Sequence, residues 1–137
     1  MNTNVNISYI KLFNGTVDEF FNDLIEIFPD SAKIKVSQSL FQTVCSINIK
    51  KACIDFMTRI FPFLEQIIMK DSVYFYTMDS KPKIFEQLSI LWTPDLPESI
   101  KCSIWKYIYS LVAIGSKVIE VPPEYADLIN YIIISEN

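Results

Sequence analysis

Four carboxylates recur along one short stretch of this chain. Glu19, Asp23, Glu26 and Asp30 are spaced by four, three and four residues, and Asp18 flanks them. That spacing places them on one side of a helix, opposite much of an apolar stripe. No Lys or Arg occurs between Lys11 and Lys33, so the row is of one sign. Three chemistries suit it. It can be an ordinary solvated face whose early acids complement the positive end of the helix dipole. It can be a docking surface for a basic partner, steering encounter by charge. It can also contact a hard divalent cation, although one helix rarely supplies enough oxygen ligands. The composition favours the first reading. The four acids are the candidate partner-binding residues.

Other catalytic chemistry finds little material here. The chain has no histidine, which removes Ser-His-Asp and Cys-His nucleophilic systems, histidine bases and histidine metal ligands. Its only glycines are Gly15 and Gly115, too few and too far apart for a phosphate-cradling loop. Cys45, Cys53 and Cys102 are odd in number and form no C-x-x-C pair. They read as reduced thiols packed as small apolar side chains, not as a zinc site or disulfide framework. No catalytic, cofactor-binding or metal-ligating residue is assigned, and the chain is expected not to be an enzyme.

Aromatic residues interleaved with bases can stack nucleic-acid bases, and Tyr74, Phe75, Tyr76, Trp92, Trp105, Tyr107 and Tyr109 are candidates. The charge around them is mixed, and core packing with polar ends at the surface explains them better. Lys33, Lys35, Lys50 and Lys51 make two small basic pairs. With a net charge of −4, the chain lacks the basic footprint of a nucleic-acid binder.

The elements that must carry these residues are mostly helical. Half of the 137 residues are apolar, enough for one domain with a real core. Ser99 to Ile119 is the expected central helix, with Ile100, Ile104, Tyr107, Ile108, Leu111, Ile114 and Val118 in a stripe. Around it the pattern predicts an all-α bundle of about six helices in a single domain, residues 1–137. Residues 1–14 form an N-terminal arm in this reading, because Val5, Ile7 and Tyr9 alternate as in a strand. The arm can pair with Val73 to Thr77, the other β-like run. Asn14-Gly15 signals a turn, and Thr16 to Glu19 fits a capping box that starts helix one at Val17. Pro29 ends that helix near Phe28.

A second helix, capped by Asp30 or Ser31, runs to about Ser46 and turns Ile34, Leu40, Phe41, Val44 and Ile47 inward. A third, capped by Asn48, buries Ala52, Cys53, Phe56, Met57 and Ile60. A continuation after Pro62 uses Phe63, Leu64, Ile67 and Ile68. The next helix is capped by Asp79 or Ser80, has Pro82 in its first turn and ends near Trp92. Pro122-Pro123 stops the central helix, and a last helix buries Tyr125, Leu128, Ile129 and Ile132.

So apolar a chain is expected to leave part of its apolar surface uncovered. The run Tyr131 to Ile134 is apolar all round and is expected to pack on a second subunit or another protein. The central stretch is interrupted by Lys106 and Lys117, which argues against a membrane span. MNTNVNISY does not open a signal peptide, so a cytoplasmic setting is expected. The sequons at Asn6 and Asn14 are then chance matches.

FFNDLIEIFPDS, Phe20 to Ser31, and IWKYIYSLVAIGSK, Ile104 to Lys117, form a pair of motifs. In this pair the chain resembles short uncharacterised proteins of large nucleocytoplasmic DNA viruses. Twenty-two Ile against four Ala, with eight Asn, suit an AT-rich genome. The resemblance implies a setting in a cytoplasmic viral factory or a virion, and it implies no activity. The helical apoptosis-regulator fold that such viruses borrow also has a buried central helix. Its Trp-Gly-Arg element is missing: Lys106-Tyr107 follows Trp105, and Thr93 follows Trp92. The expected function is a non-enzymatic interaction or structural protein with a protein partner or a second copy. The alternative is a host-response modulator with a helix-binding groove.

Overall fold

The computed structural model describes residues 3–76 and 88–136. The described residues fold as an all-α protein without a strand. Five helices have ten or more residues, against about six expected: α1 Thr3–Ile27, α2 Ala32–Ile47, α3 Lys51–Ile60, α6 Glu98–Gly115 and α7 Ala126–Glu136. Two short ones, α4 Leu64–Ile68 and α5 Leu88–Leu91, are the others among the described residues.

The largest departure from the sequence reading is at the start. The expected arm is the first half of α1. Ile10 and Phe13 continue upstream the stripe formed by Val17, Phe20, Phe21 and Leu24, and all six are buried. A helical stripe that buries phenylalanine outweighs the short alternation at Val5, Ile7 and Tyr9. Asn14-Gly15 is therefore no turn. The Thr16 hydroxyl donates to the Leu12 carbonyl at 2.8 Å, one turn back, instead of capping. The Asn14 amide donates to the Ile49 carbonyl at 3.0 Å and ties α1 to the α2–α3 connection.

Gly15 is an exposed residue inside a helix, and a Cβ added there meets nothing within 4 Å. Gly15→Ala is therefore expected to stabilise the protein by about 0.5–1 kcal/mol. A higher urea midpoint with an unchanged slope checks this, and a lower midpoint refutes it.

After Pro29 the chain turns tightly, with the Ser31 N–H on the Phe28 carbonyl at 3.1 Å. Hydrogen bonds then tie α2 to α1. The Gln38 amide donates to Asp18 at 3.2 Å and to Asn22 at 2.9 Å, and Gln42 donates to Asp18 at 3.1 Å. Asn48 ends α2, and its side chain accepts the Lys50 N–H at 3.1 Å, one residue before α3 starts at Lys51. Cys53, Phe56, Met57 and Ile60 are buried as expected. Pro62 sits in a 3-10 turn, Phe61–Phe63, which leads into α4.

The second expected strand, Val73 to Thr77, is also helical as far as it is described: Ser72–Tyr76 is a 3-10 turn that buries Tyr74 and Phe75. Of the helix expected from Asp79 or Ser80, only its end, α5, falls within the described residues. The proposed caps and Pro82 lie outside them.

The core forms around α6, as its stripe predicts. Ile104, Ile108, Leu111 and Val112 are buried, and α6 packs against α1, α3, α4 and α7. It ends at Gly115 instead of Ile119. The chain there tightens into short turns, with the Lys117 N–H on the Ile114 carbonyl and the Val118 N–H on that of Gly115, each at 3.0 Å. Ile129 and Ile132 of α7 are buried, with Leu128 and Tyr125 half-buried. No described helix is long and apolar enough to cross a membrane.

Candidate interaction surface

Four of the aromatic candidates pack into one core cluster. The Phe75 ring lies 4.6 Å from Trp92 and 5.0 Å from Trp105, and the two Trp rings are 5.8 Å apart. Tyr74, Phe75, Trp92 and Trp105 are all buried, so none is free to stack a base. The Tyr109 hydroxyl donates to the Ile68 carbonyl at 3.0 Å and fastens α6 to the end of α4. Of the thiols, Cys53 is buried and its pKa is pushed up to about 12 by that burial, which keeps it protonated and inert. Cys102 is exposed, so the apolar-packing reading holds for Cys53 and not for Cys102.

Glu19, Asp23 and Glu26 lie on α1 and Asp30 in the turn beyond its end, so only three of the four expected acids share the helix; all four are exposed. They do not converge. Asp23 accepts a hydrogen bond from the Tyr107 hydroxyl of α6, and the Tyr107 ring stacks on Phe20 with centroids 4.8 Å apart. Asp23 and Glu26 border a shallow depression of about 190 Å³ between α1 and α6, with Leu24, Ile27, Ser103 and Ile104. Asp30 borders a different one, beside Pro29 and Leu91. Asp18 is taken up by Gln38 and Gln42. Among the described residues no three His, Cys, Asp or Glu side chains group closely enough to hold a metal ion.

Burial raises the Tyr107 pKa, and the hydrogen bond to Asp23 and the charges of Asp23 and Glu19 raise it further. The phenol is thus held as a neutral donor, unsuited to act as a nucleophile. A pKa raised in the folded state means stability that is whole below the ordinary tyrosine value of 10.0 and is lost as pH rises beyond it. Tyr107→Phe is expected to make the alkaline loss of stability shallower. Parallel urea titrations at about pH 8 and about pH 11 check it. An equal loss in both proteins excludes Tyr107 as a contributor.

The strongest surface feature lies elsewhere, on α2. Leu40 and Ile47, expected inward, point to solvent and are 62% and 81% exposed, with Val36 at 57%. Six residues separate Ile34 from Leu40, roughly 240° around the helix, so the two cannot share a face. Ile34 and Phe41 take the core side, and Val36, Leu40, Thr43 and Ile47 form a second row on the back, spaced four, three and four. The sequence reading merged the two rows. An angular count along α2 separates them. A second exposed set includes Tyr131 and Ile134 of α7, the run expected to meet a partner, and Met69 after α4.

No protein-family model matches the chain, and neither the curated proteins nor the solved structures contain a match to it.

Proposed function

We propose that this chain is a non-enzymatic interaction protein that works through its helical surfaces. One observation carries this reading. A chain with a large buried core still leaves three apolar side chains, Val36, Leu40 and Ile47, aligned on the outside of α2 and interrupted only by Thr43. Scattered exposed leucines are ordinary, whereas an aligned row on one helix is the kind of surface that a partner covers. The exposed Tyr131 and Ile134 supply a second surface of the same character. The resemblance to viral proteins supports a virion or viral-factory setting, which proteomics of purified particles would test.

A photo-activated cross-linking amino acid placed at position 40 or 131 tests the reading in the native host. Specific protein adducts are expected from these positions and not from the exposed Lys117 on the turn after α6. Adduct yields at 40 and 131 equal to that at 117 would refute the reading.

A further inference from the structure

Between Asp30 and Asp55 the chain carries no carboxylate at all, yet it carries Lys33, Lys35, Lys50 and Lys51. In a molecule of net charge −4, this segment is a basic island. Helix α2 runs through it, and its exposed row Val36, Leu40 and Ile47 lies between one lysine pair at its start and the other just past its end. All four lysines are exposed. The row spans about 16 Å, three turns of helix.

From this juxtaposition we propose that the outer face of α2 binds an acidic amphipathic helix of another protein. The inference rests on the interaction reading and names its partner. The four-three-four spacing matches the spacing of apolar side chains along one face of a second helix, which can lie along α2. Carboxylates near both ends of that helix would meet lysines at both ends of α2, and no carboxylate in the segment opposes them.

Charge argues against two other occupants. A second copy of α2 laid antiparallel, Val36 on Ile47 and Leu40 on Thr43, brings Lys33 against Lys50. A parallel copy sets each lysine against itself. Either way like charges face each other. A flat anionic membrane is broad enough to extend past α2 toward α1, which packs beside it. There α1 exposes Glu19 and Glu26 on its side away from the buried Ile10 and Val17. A single helix, about 10 Å across, can cover α2 without lying over that acidic row.

The test uses the full chain and a labelled synthetic helical peptide of about 16 residues, with Leu at the four-three-four positions and Glu near both ends. A second peptide carries Lys in place of each Glu. Fluorescence anisotropy is expected to show the Glu peptide binding about tenfold or more tighter than the Lys peptide. Its affinity should fall as NaCl rises from about 50 to about 300 mM. Leu40→Glu should weaken it about tenfold or more, and Lys33→Glu with Lys35→Glu should weaken it severalfold. These positions are exposed, and circular dichroism verifies that each variant is folded. Should Leu40→Glu not fold, the lysine pair alone decides the outcome.

Equal affinity for the two peptides, or binding unchanged in both variants, would overturn the proposal. So would a wild-type dimer in sedimentation that Leu40→Glu disperses, which would make a second copy the occupant. Co-flotation with phosphatidylserine vesicles that Leu40→Glu abolishes would assign the face to membrane instead. Each of these leaves the interaction reading standing if cross-links persist at position 131, so the two failures are distinguishable.

Discussion

Ile108→Asp is expected to leave no folded protein under conditions where the wild type is native. Ile108 is fully buried near the middle of α6, the helix against which α1, α3, α4 and α7 pack. Removing its side chain from the core forfeits about 2–3 kcal/mol of hydrophobic stabilisation. Among the described residues no Lys or Arg is buried to meet the carboxylate that replaces it. It must then be buried charged or be protonated at a cost, and either adds several kcal/mol. The sum approaches the whole stability of a typical domain, about 5–15 kcal/mol. Lys106→Asp on the exposed side of the same helix is the control, with a change within about 0.5 kcal/mol. Urea unfolding followed by circular dichroism separates the two. A cooperative transition for Ile108→Asp within about 1 kcal/mol of wild type would mean that α6 is not the centre of the core.

The same contrast of faces explains what was legible in the sequence. For α6 the apolar stripe is wide and the polar remainder consists mostly of lysines and serines, so its buried side could be read directly. The inward set of α3 was equally plain, because Cys53, Phe56, Met57 and Ile60 leave a single apolar face. Helix α2 differs. It carries apolar residues on two sides, and only the angle between them says which side faces the core. Adding Leu40 and Ile47 to the inner face hid the surface on which the proposed function rests. Near the N-terminus two local signals, an Asn-Gly pair and a capping-box pattern, pointed to a turn and a new helix start. Both lost to the longer-range gain of burying Ile10 and Phe13. The acids Glu19, Asp23 and Glu26 lie exposed along α1, but the tie of Asp23 to the rest of the fold was not readable. Asp23 meets Tyr107 across 84 residues of sequence, a proximity that no local pattern encodes.

Of the two glycines, Gly115 is the one where an added methyl group meets a neighbour. It is buried in the last turn of α6, and a Cβ built there would stand 2.5 Å from the Met57 sulfur and 2.7 Å from its Cγ. Helices α3 and α6 therefore approach through a glycine and a methionine, and the missing side chain is what lets Met57 occupy its place. Gly115 does not have a positive φ, so alanine is acceptable to the backbone, and helix propensity alone would favour it by about 1 kcal/mol. The clash opposes this gain. Met57 is fully buried, and an overpacked core costs about 1–3 kcal/mol. Gly115→Ala is accordingly expected to destabilise by about 1–2 kcal/mol, and Gly115→Val by about 3 kcal/mol or more, since two further carbons must be housed. Met57→Ala alone should cost about 2–5 kcal/mol through the cavity it leaves. Combined with Gly115→Ala it should cost at least about 1 kcal/mol less than the two single losses together, because each change relieves the other. Strict additivity in this cycle, measured by urea unfolding, would show that the methionine and the glycine are not the pair that sets the distance between α3 and α6.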